Sequence, residues 1–216
     1  MKTRSGFSLV ILAVAACLVV SMTTSSVGMS KGGVSAAQLL KQGSNYQAAD
    51  DTSDRAADIY KQLLKKFPKA PEAESAQFFL GSYYERKFFI LEQRSKVQDW
   101  ESLNRAEEEL YKYKGKYPKG AYLADAYHLL ATIALRRGYS SSAVNYLQAM
   151  KQAASADQKV YIFRMAWSPN TNDVVKRFCD TRSLADANLD FVNKRLPFDT
   201  VMNEVTNWVR NRCAAK

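Results

Sequence analysis

Apolar side chains recur at intervals of three and four residues over two segments of the chain, 56–68 and 106–118, and each segment ends in a proline. These intervals place side chains on one face of an α-helix, so each segment predicts an amphipathic helix that ends near its proline. The second segment repeats the first at a distance of 50 residues. The matching positions are Ala56, Tyr60, Leu63 and Pro68, and Ala106, Leu110, Tyr113 and Pro118.

A second helical pattern follows each proline, and it predicts helices over Gln77–Arg86 and Ala124–Arg137. Gly138 predicts a tight turn after the latter helix, because glycine adopts backbone conformations that other residues avoid. Ala143 and Leu147 then stand at helical spacing and predict a further helix.

The stretch before Ser102, near which another helix is predicted to begin, allows two interpretations. Phe88 and Leu91 continue the helical spacing of the preceding segment, so that helix can run long. Alternatively, a loop is inserted around Gln93–Trp100. Upstream of all these segments, Val34–Tyr46 predicts a more irregular first helix.

The order of residues in these segments resembles the tetratricopeptide repeat (TPR), a helix–turn–helix unit of about 34 residues. The best match is 127–155, which lacks only the terminal proline of the signature, and the resemblance extends over 36–155. It implies an all-α fold in which 31–155 forms a right-handed stack of about three TPR-like hairpins. Residues 156–216 are then expected to form a C-terminal helical cap, since a repeat stack must cover its apolar end.

The family resemblance also implies packing roles for particular residues. Ala131 and Ala143 are expected where two helices cross, with no room for larger side chains, while Leu130 and Leu147 fill the space between the helices. The full set of expected packing positions is Leu80, Gly81, Tyr84, Ala106, Leu130, Ala131, Gly138, Ala143 and Leu147.

The same resemblance implies a protein-binding groove, because the first helix of each TPR hairpin lines the concave side of the stack. The segments Phe67–Ala70 and Tyr117–Gly120 are most similar to bacterial envelope members of the family. Those members include the lipoprotein scaffold of the outer-membrane β-barrel assembly machinery and the periplasmic Tol–Pal coordinator. The candidate groove residues, taken from positions off the packing sets, are Tyr83, Lys87, His128 and Arg136.

Residues 1–30 have the form of an export signal, with basic residues before an apolar run, Phe7–Met22, and small residues after it. The run is shorter than the ~20 residues of a comfortable membrane-spanning helix. Three fates remain open: Cys17 is acylated as in a lipoprotein, cleavage near Gly28 releases a soluble protein, or the segment remains as a short anchor. The predicted location is the periplasm or, through a lipid anchor, the outer membrane.

The pattern changes after residue 155. A dense apolar run at 160–167 is followed by short amphipathic stretches up to residue 209, which we interpret as the helical cap, with a separate partner-binding helix as the alternative. Cys179 and Cys213 lie 34 residues apart. In an oxidising compartment they can form one disulfide; otherwise they are two buried thiols.

Composition narrows the function classes. Lys plus Arg is 31 against 21 for Asp plus Glu, a formal charge of +10, but export makes nucleic acid an improbable partner. Nucleotide-binding loops, metalloprotease motifs, nucleophile elbows and paired Cys-x-x-Cys motifs do not occur in the sequence, which has a single histidine.

We therefore expect a non-enzymatic envelope scaffold without a cofactor. Its partners would be envelope proteins bound in the groove, and the N-terminus could add an attachment to a membrane. We expect such a scaffold to act in outer-membrane protein assembly or in envelope maintenance. The alternative is an exported module that binds anionic wall polymer or lipid headgroups through a basic face.

Overall fold

Eight α-helices and a small sheet make up the computed structural model, which describes residues 33–49, 52–155, 158–162 and 177–215. The helical class predicted from the sequence is confirmed for these residues. The helices are α1 (Ala36–Ala48), α2 (Arg55–Lys66), α3 (Glu72–Ser95), α4 (Trp100–Lys116), α5 (Leu123–Arg136), α6 (Ser140–Ala153), α7 (Thr181–Asn193) and α8 (Phe198–Arg212). The strands are β1 (Lys159–Ile162), β2 (Arg177–Asp180) and β3 (Ala214–Ala215).

The first six helices pack as three hairpins, α1 with α2, α3 with α4 and α5 with α6. The contacts between α3 and α4 run in opposite directions along the two helices, so the pair is antiparallel. Tyr113 near the end of α4 donates a hydrogen bond to Glu74 at the start of α3. At the other end of the pair, the rings of Phe88 and Trp100 lie 5.3 Å apart. The long-helix alternative therefore holds for α3, and only four residues, 96–99, separate it from α4.

Small residues allow the helices of a hairpin to approach closely. A Cβ atom on Gly43 would lie 2.5 Å from the ring of Tyr60, and one on Gly81 would lie 2.8 Å from Cγ of Leu110. Tyr60 and Leu110 occupy equivalent positions of the 50-residue repeat. In the third hairpin, the expected packing residue Ala143 is fully buried. Gly138 joins α5 to α6 with φ of +78°, which explains the glycine at this turn.

The repeat extends to the turns between hairpins, which we call joint 1 (67–71) and joint 2 (117–121). The amide of the first residue in each joint donates to a carbonyl four residues earlier, at 2.8 Å in both cases. Ala70 donates to the carbonyl of Phe67 at 3.1 Å, and Gly120 donates to that of Tyr117 at 3.0 Å. The repetition seen in the sequence is thus a repetition of backbone structure.

The helices form two layers. The first helices of the hairpins contact one another, α1 with α3 and α3 with α5, whereas contacts among α2, α4 and α6 are at most marginal. We call α1, α3 and α5 the inner layer and α2, α4 and α6 the outer layer.

The last described part of the chain covers the end of the third hairpin. Helix α7 packs on α6, α8 packs on α7, and their apolar side chains form one core cluster with α5 and α6. The strands pair antiparallel in the order β1-β2-β3. This sheet corrects the expectation of helices alone over 156–216, and it includes part of the apolar run at 160–167.

A disulfide between Cys179 and Cys213 links β2 to the end of α8. The predicted export signal and Cys17 lie outside the described residues. Among the described helices, none combines the length and the hydropathy that crossing a membrane requires.

Joint 2 should tolerate no side chain at Gly120. A Cβ atom there would lie 2.3 Å from the hydroxyl of Tyr113 and 2.6 Å from the carboxylate of Glu74. We expect Gly120→Ala to lower the free energy of unfolding by about 1–3 kcal/mol, measured by urea denaturation. The matched control is Gly115→Ala, where the new methyl group meets nothing within 4 Å in the helix and should be neutral or stabilising. Equal effects of the two substitutions would contradict this packing of the joint.

Candidate functional site

Two of the four candidate groove residues are directed into the stack instead of the groove. Tyr83 is only 3% exposed, and its hydroxyl bonds to Asp54. Lys87 forms an ion pair with the same carboxylate at 2.8 Å. The expectation that Tyr83 and Lys87 lie exposed on the concave face is therefore wrong, because both side chains bind Asp54 at the start of α2.

The contact of Lys87 recurs one repeat later. Arg137 occupies the equivalent position after α5, and its guanidinium donates to Asn104 at 2.6 Å. Asn104 is itself the 50-residue equivalent of Asp54. A basic side chain, within α3 in one repeat and directly after α5 in the next, thus ties an inner helix to the preceding outer helix in both repeats, which is a structural role.

Arg136 is also engaged internally, which corrects its assignment to the groove. Its guanidinium carbon lies 4.9 Å from the ring centre of Phe88 and 4.7 Å from that of Phe198, and it forms an ion pair with Glu92. Burial raises the pKa of the neighbouring Glu85, and the positive charges of Arg136 and Arg86 oppose that rise. Arg136 therefore joins α3, α5 and α8.

His128 lies on α5, where burial lowers its pKa to about 4. The imidazole is therefore neutral near neutral pH and does not contribute positive charge to a groove. Burial also raises the pKa of Asp125, one turn earlier on α5, to about 7. The inner layer consequently carries less charge at this position than its sequence implies.

Six half-buried side chains of the inner layer follow the repeat. They stand at three positions of α3 and at three positions of α5, each pair 50 residues apart. We call this set the inner face: Ser75, Phe79 and Ser82, and Asp125, Leu129 and Thr132. Ser82 accepts a hydrogen bond from Gln47 of α1, and Ser75 contacts the hydroxyl of Tyr122 beside α5. The inner face is thus a mixed apolar and polar set of side chains on α3 and α5, and Gln47 of α1 contacts it.

A second surface with the same repeat lies at the joints. Six lysines cluster there, three around each joint, and all except the half-buried Lys114 are exposed. We call them the basic edge: Lys65, Lys66, Lys69, Lys114, Lys116 and Lys119. Within the described part of the chain, none of the six forms an ion pair.

A partly buried hydrogen-bond network links the start of α3, next to joint 1, to joint 2. One carboxylate oxygen of Glu74 accepts from the hydroxyl of Tyr113 at 2.9 Å and from the amide of Ala121 at 2.6 Å. The Tyr113 hydroxyl in turn accepts from the amide of Tyr122. Burial and the hydrogen bond to Glu74 raise the pKa of Tyr113, which therefore stays protonated as this network requires. Helical spacing does not reveal the role of Glu74, because its partners are 39 and 47 residues away.

The described residues contain no group of three or more histidine, cysteine, aspartate or glutamate side chains that could hold a metal ion. We take the inner face and the basic edge as the candidate functional surfaces of the described chain, because both follow the 50-residue repeat.

Comparison of the chain with protein-family models, with curated proteins and with solved structures finds no match.

Proposed function

We propose that this protein is a TPR-type scaffold of the bacterial cell envelope, without enzymatic activity, that binds an envelope protein along its inner face. The observation that carries the proposal is the 50-residue repetition of the inner face across α3 and α5. Repeated helical hairpins place equivalent side chains at regular intervals, and such strips bind extended or helical segments of partner proteins.

The packing of the hairpins supports the TPR assignment. Gly81 and Ala131 occupy the equivalent small position of their inner helices, next to the buried residues Leu80 and Leu130. In this proposal α1 to α6 are three TPR-like hairpins in a right-handed stack. The unit formed by α7, α8 and the sheet is the cap, which covers the apolar end of the third hairpin.

The envelope location has support from two independent features. The N-terminal sequence has the form of an export signal. The disulfide between Cys179 and Cys213 belongs to an oxidising compartment, since thiols in the cytosol of most bacteria are kept reduced. Outer-membrane protein assembly and envelope maintenance are the processes in which we place the scaffold.

Capture of the partner from native envelope extract tests the proposal. The variant Leu129→Gln/Thr132→Gln changes the inner face, and we expect it to weaken capture of the partner at least about tenfold. Its thermal unfolding should shift by only a few degrees, because both side chains are half-buried.

The matched control is Glu108→Gln/Lys112→Gln, which removes an exposed ion pair from the outer helix α4 and should leave capture unchanged. Loss of capture in the control alone would place the partner on the outer layer. Failure to find any stable protein complex in the native extract would refute the scaffold function.

A further inference from the structure

The lysines of the basic edge repeat along with the joints. Lys66 and Lys116 end equivalent outer helices, and Lys69 and Lys119 follow the prolines of joints 1 and 2. Lysine at the end of a helix complements the helix dipole. That explanation does not extend to Lys69 and Lys119, which lie outside any helix.

The lysines elsewhere in the described chain are of two kinds: Lys41, Lys61 and Lys96 form no ion pair, and others do. Lys87, Lys112, Lys151 and Lys194 each form an ion pair with a carboxylate. The lysines of the basic edge have no such partner among the described residues. Apart from Lys114, whose ammonium group lies over the rings of Tyr111 and Tyr127, these lysines are exposed and present their positive charge to the solvent at one end of the stack.

Two aromatic side chains accompany the lysines of the basic edge. Phe67 and Tyr117 are half-buried at the two joints, and the ammonium group of Lys116 lies 5.2 Å from the ring centre of Tyr117. Aromatic rings and lysines with long apolar stems are the side chains that suit the boundary between water and lipid.

We propose that the basic edge docks on an anionic lipid bilayer, so that the joints face the membrane. The hydrogen bonds of Glu74 link the start of α3, next to joint 1, to joint 2, which places both groups of lysines at the same end of the stack. Lysine is a flexible point charge that does not impose the paired geometry of arginine on its ligand. A surface of lysines without ion pairs, at the helix ends and turns of the two joints, therefore fits an extended anionic plane better than it fits one folded acidic partner.

This inference is independent of the partner-binding proposal, because it concerns another face and needs only lipid. The natively processed chain is mixed with phosphatidylcholine vesicles that contain or lack phosphatidylglycerol, and vesicle-bound protein is measured by sedimentation. We expect phosphatidylglycerol to enhance binding, and we expect that enhancement to decline at high salt.

The variant Lys66→Gln/Lys69→Gln/Lys116→Gln/Lys119→Gln should lose the enhancement. Each lysine near an anionic surface is worth about a fivefold change in binding, so the affinity attributable to phosphatidylglycerol should fall at least about 100-fold. The matched control, Lys41→Gln/Lys96→Gln/Arg195→Gln/Arg212→Gln, removes four positive charges from other exposed sites that form no ion pair among the described residues, and it should retain the enhancement.

Amine labelling gives a second readout that holds even if the N-terminus inserts into every vesicle. Phosphatidylglycerol vesicles should protect Lys69 and Lys119 from acetylation but leave Lys41 reactive. Equal enhancement in both variants, or unchanged acetylation of Lys69 and Lys119, would overturn the proposal. Binding of a soluble polyanion by the basic edge, without binding to the vesicles, would also overturn the proposal.

Discussion

Removal of the disulfide by Cys179→Ala/Cys213→Ala should lower the free energy of unfolding by about 3–4 kcal/mol. The crosslink closes a loop of 34 residues, and its loss gives the unfolded chain the conformational freedom of that loop. Both sulfurs lie in the core cluster that joins α7 and α8 to the third hairpin, so the loss should appear first in these helices. Urea denaturation measures the total effect.

Hydrogen exchange locates the effect of the disulfide. We expect faster exchange in α7 and α8 of the double variant, with α1 and α2 unchanged under native conditions. Reduction of the unaltered protein is the control, and it should reproduce the variant. An unchanged denaturation midpoint in both samples would show that the crosslink does not stabilise the cap.

We expect Leu110→Ala to lower the free energy of unfolding by about 2–5 kcal/mol, because it empties a fully buried position where α3 crosses α4. Gly81→Ala alone should cost about 1–3 kcal/mol, since its methyl group would lie 2.8 Å from Cγ of Leu110. The double variant should be more stable than Leu110→Ala, because the new methyl group then enters vacated space.

A double-mutant cycle measures this coupling. Helices prefer alanine over glycine whether position 110 holds leucine or alanine, so this preference cancels from the cycle. The Gly115→Ala variant measures the size of that preference. If the losses in the free energy of unfolding at positions 81 and 110 are additive, the two residues do not contact each other where α3 crosses α4.

The sequence revealed the repeat because each hairpin buries the same face. Ala56 and Ala106, at equivalent positions of two outer helices, are both fully buried. Local spacing also gave the ends of α2 and α4, because each is followed by an aromatic residue and a proline. Patterns set by burial within one helix could therefore be predicted.

The assignments that failed depend on contacts between distant residues. Lys87 has its partner 33 residues away, and helical spacing does not reveal it. The repeat offered a signal, because Asp54 and Lys87 recur as Asn104 and Arg137 at the same offset.

The small sheet was not predicted from the sequence for a similar reason. Strand β1 pairs with β2 across an interval of 14 residues in the chain, and its four residues are too few to separate strand from helix by periodicity. Val160 and Ile162, which are β-branched, were the available indication of a strand.

Site-specific photocrosslinking in the native envelope tests the central claim, that the inner face binds a protein partner. A photoreactive amino acid is placed at Ser82 or Thr132 on the inner face, and at Glu108 on the outer layer as the control. The account predicts that both inner positions crosslink to the same envelope protein and that position 108 does not. Crosslinks from position 108 alone, or no protein adduct from any of the three positions, would contradict it.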